Sequence, residues 1–417
     1  MLRRPFLRLT ILSAALAAIA GWATGPATAG DPAAATTVQL PTFGVSIDAD
    51  GVLSLKTFAD PGGRLQTERR AAAKRALPRN LFAASKLRKV SLVALERTIA
   101  KCVADGKPLD EAMLHLAGLQ RLQYVFCFPD RHDVVIAGPA EGWVADPSGR
   151  PVGVTTGRPV LELADLAAAL RSFPPGSRAR VFLGCSIDPN PDSLAKVVAF
   201  QKSVPHVVPQ NERDEVAARV AQGQREALGM ADVRVFGLPA NSHFAQVLIE
   251  ADYRMKLIGI GLEEPPVKMT TFLSALTAPP RNGLQRWWFT PNYDCVKVSN
   301  DRLAMELLGQ GVQLQTEDKV IGPDGSLLDR GGQPNRASEL FTQSFTKKYV
   351  EISERLPVYA QMRNLFDMAV AAAYMRRQDF YGQAHWQAAQ FRDERILPIA
   401  TLPTPKKVLC VVNAVWR

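Results

Sequence analysis

The residues with the most chemistry to offer are five cysteines and five histidines, and their spacing decides which chemistry is open to them. Cys102, Cys127, Cys185, Cys295 and Cys410 stand singly and never as CxxC, which argues against a disulfide-rich scaffold and against a cysteine-held zinc site. In an exported chain they allow one or two bridges, and the odd count leaves at least one thiol unpaired. Taken alone, each reads as a small buried hydrophobe. His115, His132, His206, His243 and His385 include no HxxxH or HExxH pair, so no metal site is expected. Cys185 lies between Gly184 and Ser186 at a strand end, with Asp188 three residues on, and His243 follows Asn241-Ser242 at a helix start. Cys185 or Ser186 with His243 would make a nucleophile and base for hydrolysis. The same residues also read as packing, a core cysteine and a first-turn histidine that caps or packs.

Other motifs are weaker. No GxSxG elbow is present, and Ser193-Leu-Ala-Lys196 has the SxxK spacing without its SDN and KTG companions. Gly259-Ile-Gly261 lacks a third glycine and a basic residue at phosphate-loop spacing, so neither a nucleotide nor any other cofactor is expected. Asp48-Ala-Asp-Gly51 lacks the later ligands of a calcium loop and reads as a turn. Glu250, Asp252, Arg254 and Lys256 crowd a helix that is otherwise apolar at Val247, Leu248 and Leu257. That cluster reads as a solvated face, or as the lining of a cleft with Asp252, Arg254 and Lys256 as binding residues. Trp287 and Trp288 point to opposite faces of a strand, one toward the core and the other free to stack on a sugar or peptide.

The elements that position these residues follow from periodicity and turn chemistry. Hairpins are predicted across Asp48–Gly51, PDRHD and Pro147–Arg150, and helices over Ser91–Asp105, Leu109–Leu119, Leu163–Phe173 and Pro191–Ser203. A buried strand runs from Arg180 to Ser186. Past a linker-like VPHVVPQ around 204–210 come a helix ending at Gly229, a strand at Val233, and a helix from Asn241 to about Met255. Residues 285–320 read as an antiparallel meander, and Ala337–Glu354 with Val358–Arg377 as a C-terminal helical pair. Arg363 and Asp367 one turn apart mark the last helix as packed and not membrane-spanning. Helices and hairpins mix without a βαβ rhythm, so the expected class is α+β. The expected organisation is a signal peptide (1–29), a flexible start and hairpin (30–63), a basic helical segment with an α/β subdomain (64–204), and a second α+β subdomain (211–417).

Composition places the chain among exported globular proteins. Of 417 residues, 47% are hydrophobic and 22% charged, which excludes fibrous and wholly disordered classes. Arg3, Arg4 and Arg8 precede an apolar stretch from Leu9 to Ala20, and Ala27-Thr28-Ala29 supplies small residues for cleavage after Ala29. The segment Arg3-Arg4-Pro5-Phe6-Leu7-Arg8 resembles a twin-arginine signal, so the expected location is periplasmic or extracellular, with no transmembrane span after cleavage. The formal charge is +10, and residues 64–101 hold eleven Lys and Arg against Glu68 and Glu96. Such a segment is suited to an anionic envelope component or an acidic protein. With Phe82 its only aromatic residue, it offers no stacking platform, and nucleic acid is not expected as a partner.

The strings GVSIDADGVL, QYVFCF, IAGPAEGW, TTGRPVLELADLAAALRSFPPG, GCSIDP, FGLPANSHFAQVLIEADYRMKLIGIGLE and RLPVYAQMRNLFDMAVAAAYM together resemble an exported family known mainly from planctomycete bacteria, domain of unknown function 1598. The resemblance runs from about Gly44 to the C-terminus and implies no activity and no catalytic residues. A further stretch, GRPVLELADLAAALRSFPPGSRARVFLGC, is similar to the later half of PDZ domains of exported proteases, and that similarity implies peptide binding. The expected function is therefore a non-enzymatic binding or structural module of the cell envelope, with hydrolysis through Cys185 or Ser186 and His243 as the alternative.

Overall fold

Turn chemistry closes the hairpins where the sequence places them. The computed structural model describes residues 7–12, 42–179, 181–204, 208–277, 283–321, 326–329 and 335–416. The Asp48 carboxylate accepts from the backbone N–H of Asp50 and of Val52, both at 2.9 Å, and Gly51 takes φ 82°. Together they join β2 (Thr42–Ile47) to β3 (Val52–Phe58). Asp146 does the same for β7 (Trp143–Ala145) and β8 (Pro151–Gly153), accepting from the N–H of Ser148 and Arg150.

Two five-stranded sheets dominate. One is ordered β2, β3, β16 (Lys407–Leu409), β10 (Met230–Phe236), β9 (Gly184–Pro189). The other is ordered β12 (Val296–Val298), β13 (Ala304–Leu307), β5 (Tyr124–Phe128), β6 (Asp133–Ala140), β4 (Ser85–Ser91). A three-stranded sheet runs β11 (Gly283–Pro291), β14 (Val312–Ile321), β15 (Leu327–Asp329), and β1 (Leu7–Leu12) pairs with β17 (Val411–Trp416). The ladders are antiparallel apart from β16 on β3, and the helices are not crossovers between parallel strands, so the fold is α+β. Both large sheets take strands from either side of the 204–210 stretch.

Helix boundaries follow side-chain caps. Ser91 accepts from the N–H of Ala94 to start Leu92–Ala104, and Ser242 accepts from Ala245 to start His243–Ile260. The second of these occupies the centre, with sixteen of its eighteen residues buried. A helix buried on every side is a core helix, whatever its polarity. It packs on β9 and on the helices Leu163–Ser172 and Pro357–Arg377. Trp287, Phe289, Phe341, Phe345, Tyr349 and Tyr359 form a connected aromatic cluster beside it, with ring centroids 4.8–6.3 Å apart.

Several elements differ from the sequence reading. The stretch predicted as a helix over 109–119 breaks after Leu114, because Leu116, Ala117 and Gly118 take φ of 44°, 56° and 79°. A side chain at Gly118 would meet the Glu141 carbonyl oxygen at 2.1 Å, so the chain turns there to pack against Glu141 and Trp143. The run through 285–320 divides: β11 pairs with β14, and the β12–β13 hairpin between them joins the other sheet. The predicted helix 337–354 splits into Arg336–Lys347 and Tyr349–Arg355. The cleavage position at Ala29, the Arg3-Arg4 pair, the 30–41 start and His206 lie outside the described residues. Among the described residues no helix is long and apolar enough to cross a membrane.

The close approach of β6 to the preceding loop yields a stability prediction. A Cβ at Gly138 would lie 2.1 Å from the Arg121 backbone oxygen, so Gly138→Ala must displace backbone. Overpacking of this kind costs about 1–3 kcal/mol or more, and a chemical denaturation midpoint should fall accordingly, whereas Gly149→Ala, with open space around it, should be limited to the strain of its φ of 94°.

Candidate functional site

Strand β9 is an edge of its sheet and β11 is an edge of another, and a cleft of about 560 Å³ lies between them. Six consecutive residues of each strand, Gly184–Pro189 and Leu284–Phe289, line it. Side chains alternate between the faces of a strand, so consecutive residues line one space only when the strand presents its edge. The floor is the central helix, contributing Leu248, Asp252 and Lys256, with Met362 and Phe366 beside it.

The polar residues of the cleft are mostly engaged with each other. Lys256 donates to Asp252 at 2.7 Å, both buried. Arg286 on β11 reaches Asp188 on β9 at 3.7 Å and Glu317 on β14 at 3.3 Å, tying the two edges together at one end. Lys319 also meets Glu317 at 2.8 Å. Arg234 of β10, opposite Ser186 in the ladder, is exposed at the cleft and has no ion pair among the described residues. Among the described residues Gln285, 3% exposed, has no hydrogen-bond partner for either amide atom, and the buried Trp287 indole N–H has none.

Burial pushes the Cys185 thiol well above its ordinary value; Asp252 adds to this and Lys256 opposes it. Asp252 is likewise raised by burial against the pull of Lys256. Protonated thiols are poor nucleophiles, so Cys185 is set as a neutral group facing an ion pair. All five cysteines are free thiols.

The cleft thus gathers Cys185, Ser186, Asp252, Lys256, Trp287 and Trp288. Trp287 is buried against Phe272 and Phe341, while Trp288 is half-buried. Arg254 is elsewhere, held by Glu263 at 2.6 Å and 3.8 Å from Glu250, whose other oxygen accepts from Arg150. Glu250, Asp252, Arg254 and Lys256 are all buried, each with an opposite charge in reach, so of the two arrangements expected for them the solvated face does not occur, while Asp252 and Lys256 line the cleft. Arg234, Gln285, Arg286 and Glu317 were not singled out by sequence reasoning. Gln285 alone left a signal there, a polar residue sharing the alternation of Trp287 and Phe289 on the buried face of a strand.

His243 belongs to a second polar group. Its Nδ1 lies 2.8 Å from Asp165 and 3.6 Å from Glu162, and its Nε2 is 3.4 Å from the Gln361 amide, which accepts from Arg150 Nε at 2.7 Å. Among the described residues no hydrogen bond joins His243 to Cys185 or Ser186, and Asp252, which the thiol faces, is nine residues further along the same helix. The donor atoms of Glu162, Asp165 and His243 lie within 4.8 Å of one another, close enough for a divalent cation to be held by all three. Spacing along the sequence could not reveal this group, since residues 162 and 165 meet 243 only in the fold.

Burial alone would lower the His243 pKa, but the carboxylates of Asp165 and then Glu162 override it and push it up to about 10 from 6.5. A raised cation pKa stabilises the fold fully below the unfolded value and loses that contribution as pH rises through the folded one. The contribution of this ion pair should therefore be complete below pH 6.5 and gone above about 10. The ring-proton titration by NMR is expected near 10 in the native chain, and Asp165→Asn should lower it by about one to three units. An unchanged midpoint would show that Asp165 does not set it.

No curated protein matches the chain, and no solved structure does. Residues 185–272 match the family model described as Protein of unknown function (DUF1598). The match starts at Cys185 and covers one wall and the floor of the cleft, β9, β10 and the central helix, while the opposite wall, β11, lies outside it. The model matched over this segment is that of the family of unknown function that the sequence resembles.

Proposed function

We propose that the chain is an exported, non-enzymatic binding module of the cell envelope whose ligand occupies the cleft between β9 and β11. The observation that carries this reading is the cleft itself, about 560 Å³ walled by two strand edges, with the exposed Arg234 at it left without an ion pair among the described residues. The hydrolytic alternative has less support. A nucleophilic cysteine needs a depressed pKa, and that of Cys185 is shifted the other way. His243 has both ring nitrogens near other partners, and it is separated from Asp252 by about 13 Å of helix rise.

The cleft assignment is tested by masses of the exported protein measured native and denatured. The native chain should carry extra mass that disappears on denaturation, and Ser186→Trp, which places an indole in the cleft, should abolish it while leaving the circular dichroism spectrum unchanged. A folded Ser186→Trp chain that keeps the extra mass would remove the cleft from consideration.

The basic 64–101 segment supplies the second contact of the proposal. Its helix Arg64–Ala76 buries only Gln66. Arg69 and Arg88 are used structurally, donating to backbone carbonyls such as those of Ala145 and Ala117. Arg70, Lys74 and Arg75 are exposed and have no ion pair among the described residues. Reversing those three to Glu should weaken binding to phosphatidylglycerol-containing vesicles by about tenfold or more at low salt, since each basic residue near an anionic surface is worth about 1 kcal/mol, and the difference should shrink as salt rises. Equal binding by the reversed chain would dispose of this contact.

A further inference from the structure

The proposal above leaves the ligand of the cleft unspecified, and the shape of the cleft narrows it. Among the described residues, strand β9 is hydrogen-bonded only to β10, and β11 only to β14. Among the described residues, the outer backbone edges of Gly184–Pro189 and Leu284–Phe289 have no hydrogen-bond partner. In an antiparallel ladder every second residue turns its N–H and C=O away from the paired neighbour, so each edge offers a row of donors and acceptors to the space between them. The strands come within 8 Å Cα to Cα in part of their length. A third strand placed midway would need about 9.6 Å, twice the spacing of paired strands, so an added strand cannot bridge both edges where they approach and would pair with one edge alone.

The cleft also continues. A second cavity of about 770 Å³ shares Phe182, Phe289 and Phe366 with it and is predominantly apolar, with Val181, Val298 and Tyr374 among its lining. Phe182 is 61% exposed and Tyr293 68% exposed, large apolar surface left uncovered along this path. The groove is therefore elongated, apolar at one end, and polar where the Arg286–Asp188 bridge ties its walls. In the polar end Asp188, Asp252 and Glu317 each have a cation, and Arg234 is the cation left over among the described residues.

We infer that the ligand is an extended polypeptide segment that adds as a strand to the edge of β9, with apolar side chains toward Phe182 and Tyr293 and an acidic group opposite Arg234. This inference rests on the cleft being the binding site, and it goes beyond that reading by naming the ligand class and the mode. Strand addition draws affinity from the main chain and selectivity from alternate side chains. A free amino acid or an oligosaccharide would use neither edge in this way.

The probe is a randomised heptapeptide mixture, offered to the full chain beside chitooligosaccharides and free amino acids, with retention read by native mass spectrometry. Retained heptapeptides are then resynthesised in two forms, N-methylated at one or the other set of alternate amides. The expected result is retention of peptides carrying Asp or Glu, at least about tenfold weakening by one methylation register and little change by the other, and similar weakening by Arg234→Glu in a chain of unaltered melting temperature. Equal binding by both registers would overturn strand addition, because side chains alone would then hold the peptide. Retention of saccharides or amino acids, displaced in Ser186→Trp, would overturn the peptide inference and keep the cleft as a binding site. Retention of no probe, with Ser186→Trp indistinguishable from the native chain, would overturn both.

Discussion

A helix buried on every side that still carries Glu250, Asp252, Arg254 and Lys256 sets the terms for the rest of this structure. Removing one partner of a buried ion pair costs about 3–5 kcal/mol because the other charge is stranded, so each of these residues dictates what must lie beside it. Asp252 and Lys256 neutralise each other one turn apart. Arg254 needs Glu263, just past the helix end, and Glu250 needs Arg150, from the turn between β7 and β8. Arg150 also donates to Gln361, whose amide faces His243. One guanidinium thus fastens a surface hairpin to two core helices. The charges are costly ballast for stability, but they admit few alternative registers of the central helix.

The cleft follows from the same constraint. With Asp252 and Lys256 fixed on the helix face beneath β9, the floor is polar at one point and apolar at Leu248, Met362 and Phe366. Exposed strand edges invite uncontrolled pairing between molecules, and proteins blunt them with charges. Asp188 and Arg286 do this at one end, where their side chains cross between the edges. The end toward Gly184 and Phe289 has no such pair and opens to the apolar cavity, so access along the edges is directional.

What the sequence made legible was local. The helix from Leu92 and the helix from His243 begin beside Ser91 and Ser242 because serine caps act within three residues, and the Asp48 turn closes through its own carboxylate. The opposite facing of Trp287 and Trp288 is also a property of one strand. Nothing local reports that β16 at residue 407 lies beside β3 at residue 52, or that the β12–β13 hairpin leaves its neighbours for β5. Burial of the IEADYRMK cluster was illegible for the same reason. Read alone the cluster is polar, and only partners at 150 and 263 make its burial tolerable. The site is likewise assembled across the chain: Cys185 and Trp288 share a cleft, while His243, a candidate partner for Cys185, is tied to Asp165 and Glu162 instead.

The balance of charge along the groove bears on what kind of event it supports. A site built for turnover holds a reactive group away from its preferred protonation state, with a partner that accepts or returns the proton. Burial drives Cys185 toward its neutral, unreactive form, and Asp252 is held against Lys256 at 2.7 Å. Among the described residues the charged groups of the polar end satisfy one another apart from Arg234. One cation without an ion pair among the described residues and two strand edges facing a common space are what the proposed recognition would draw on. Under that proposal their order along the groove, polar at the bridged end and apolar beyond Phe182, would favour one direction of a bound chain.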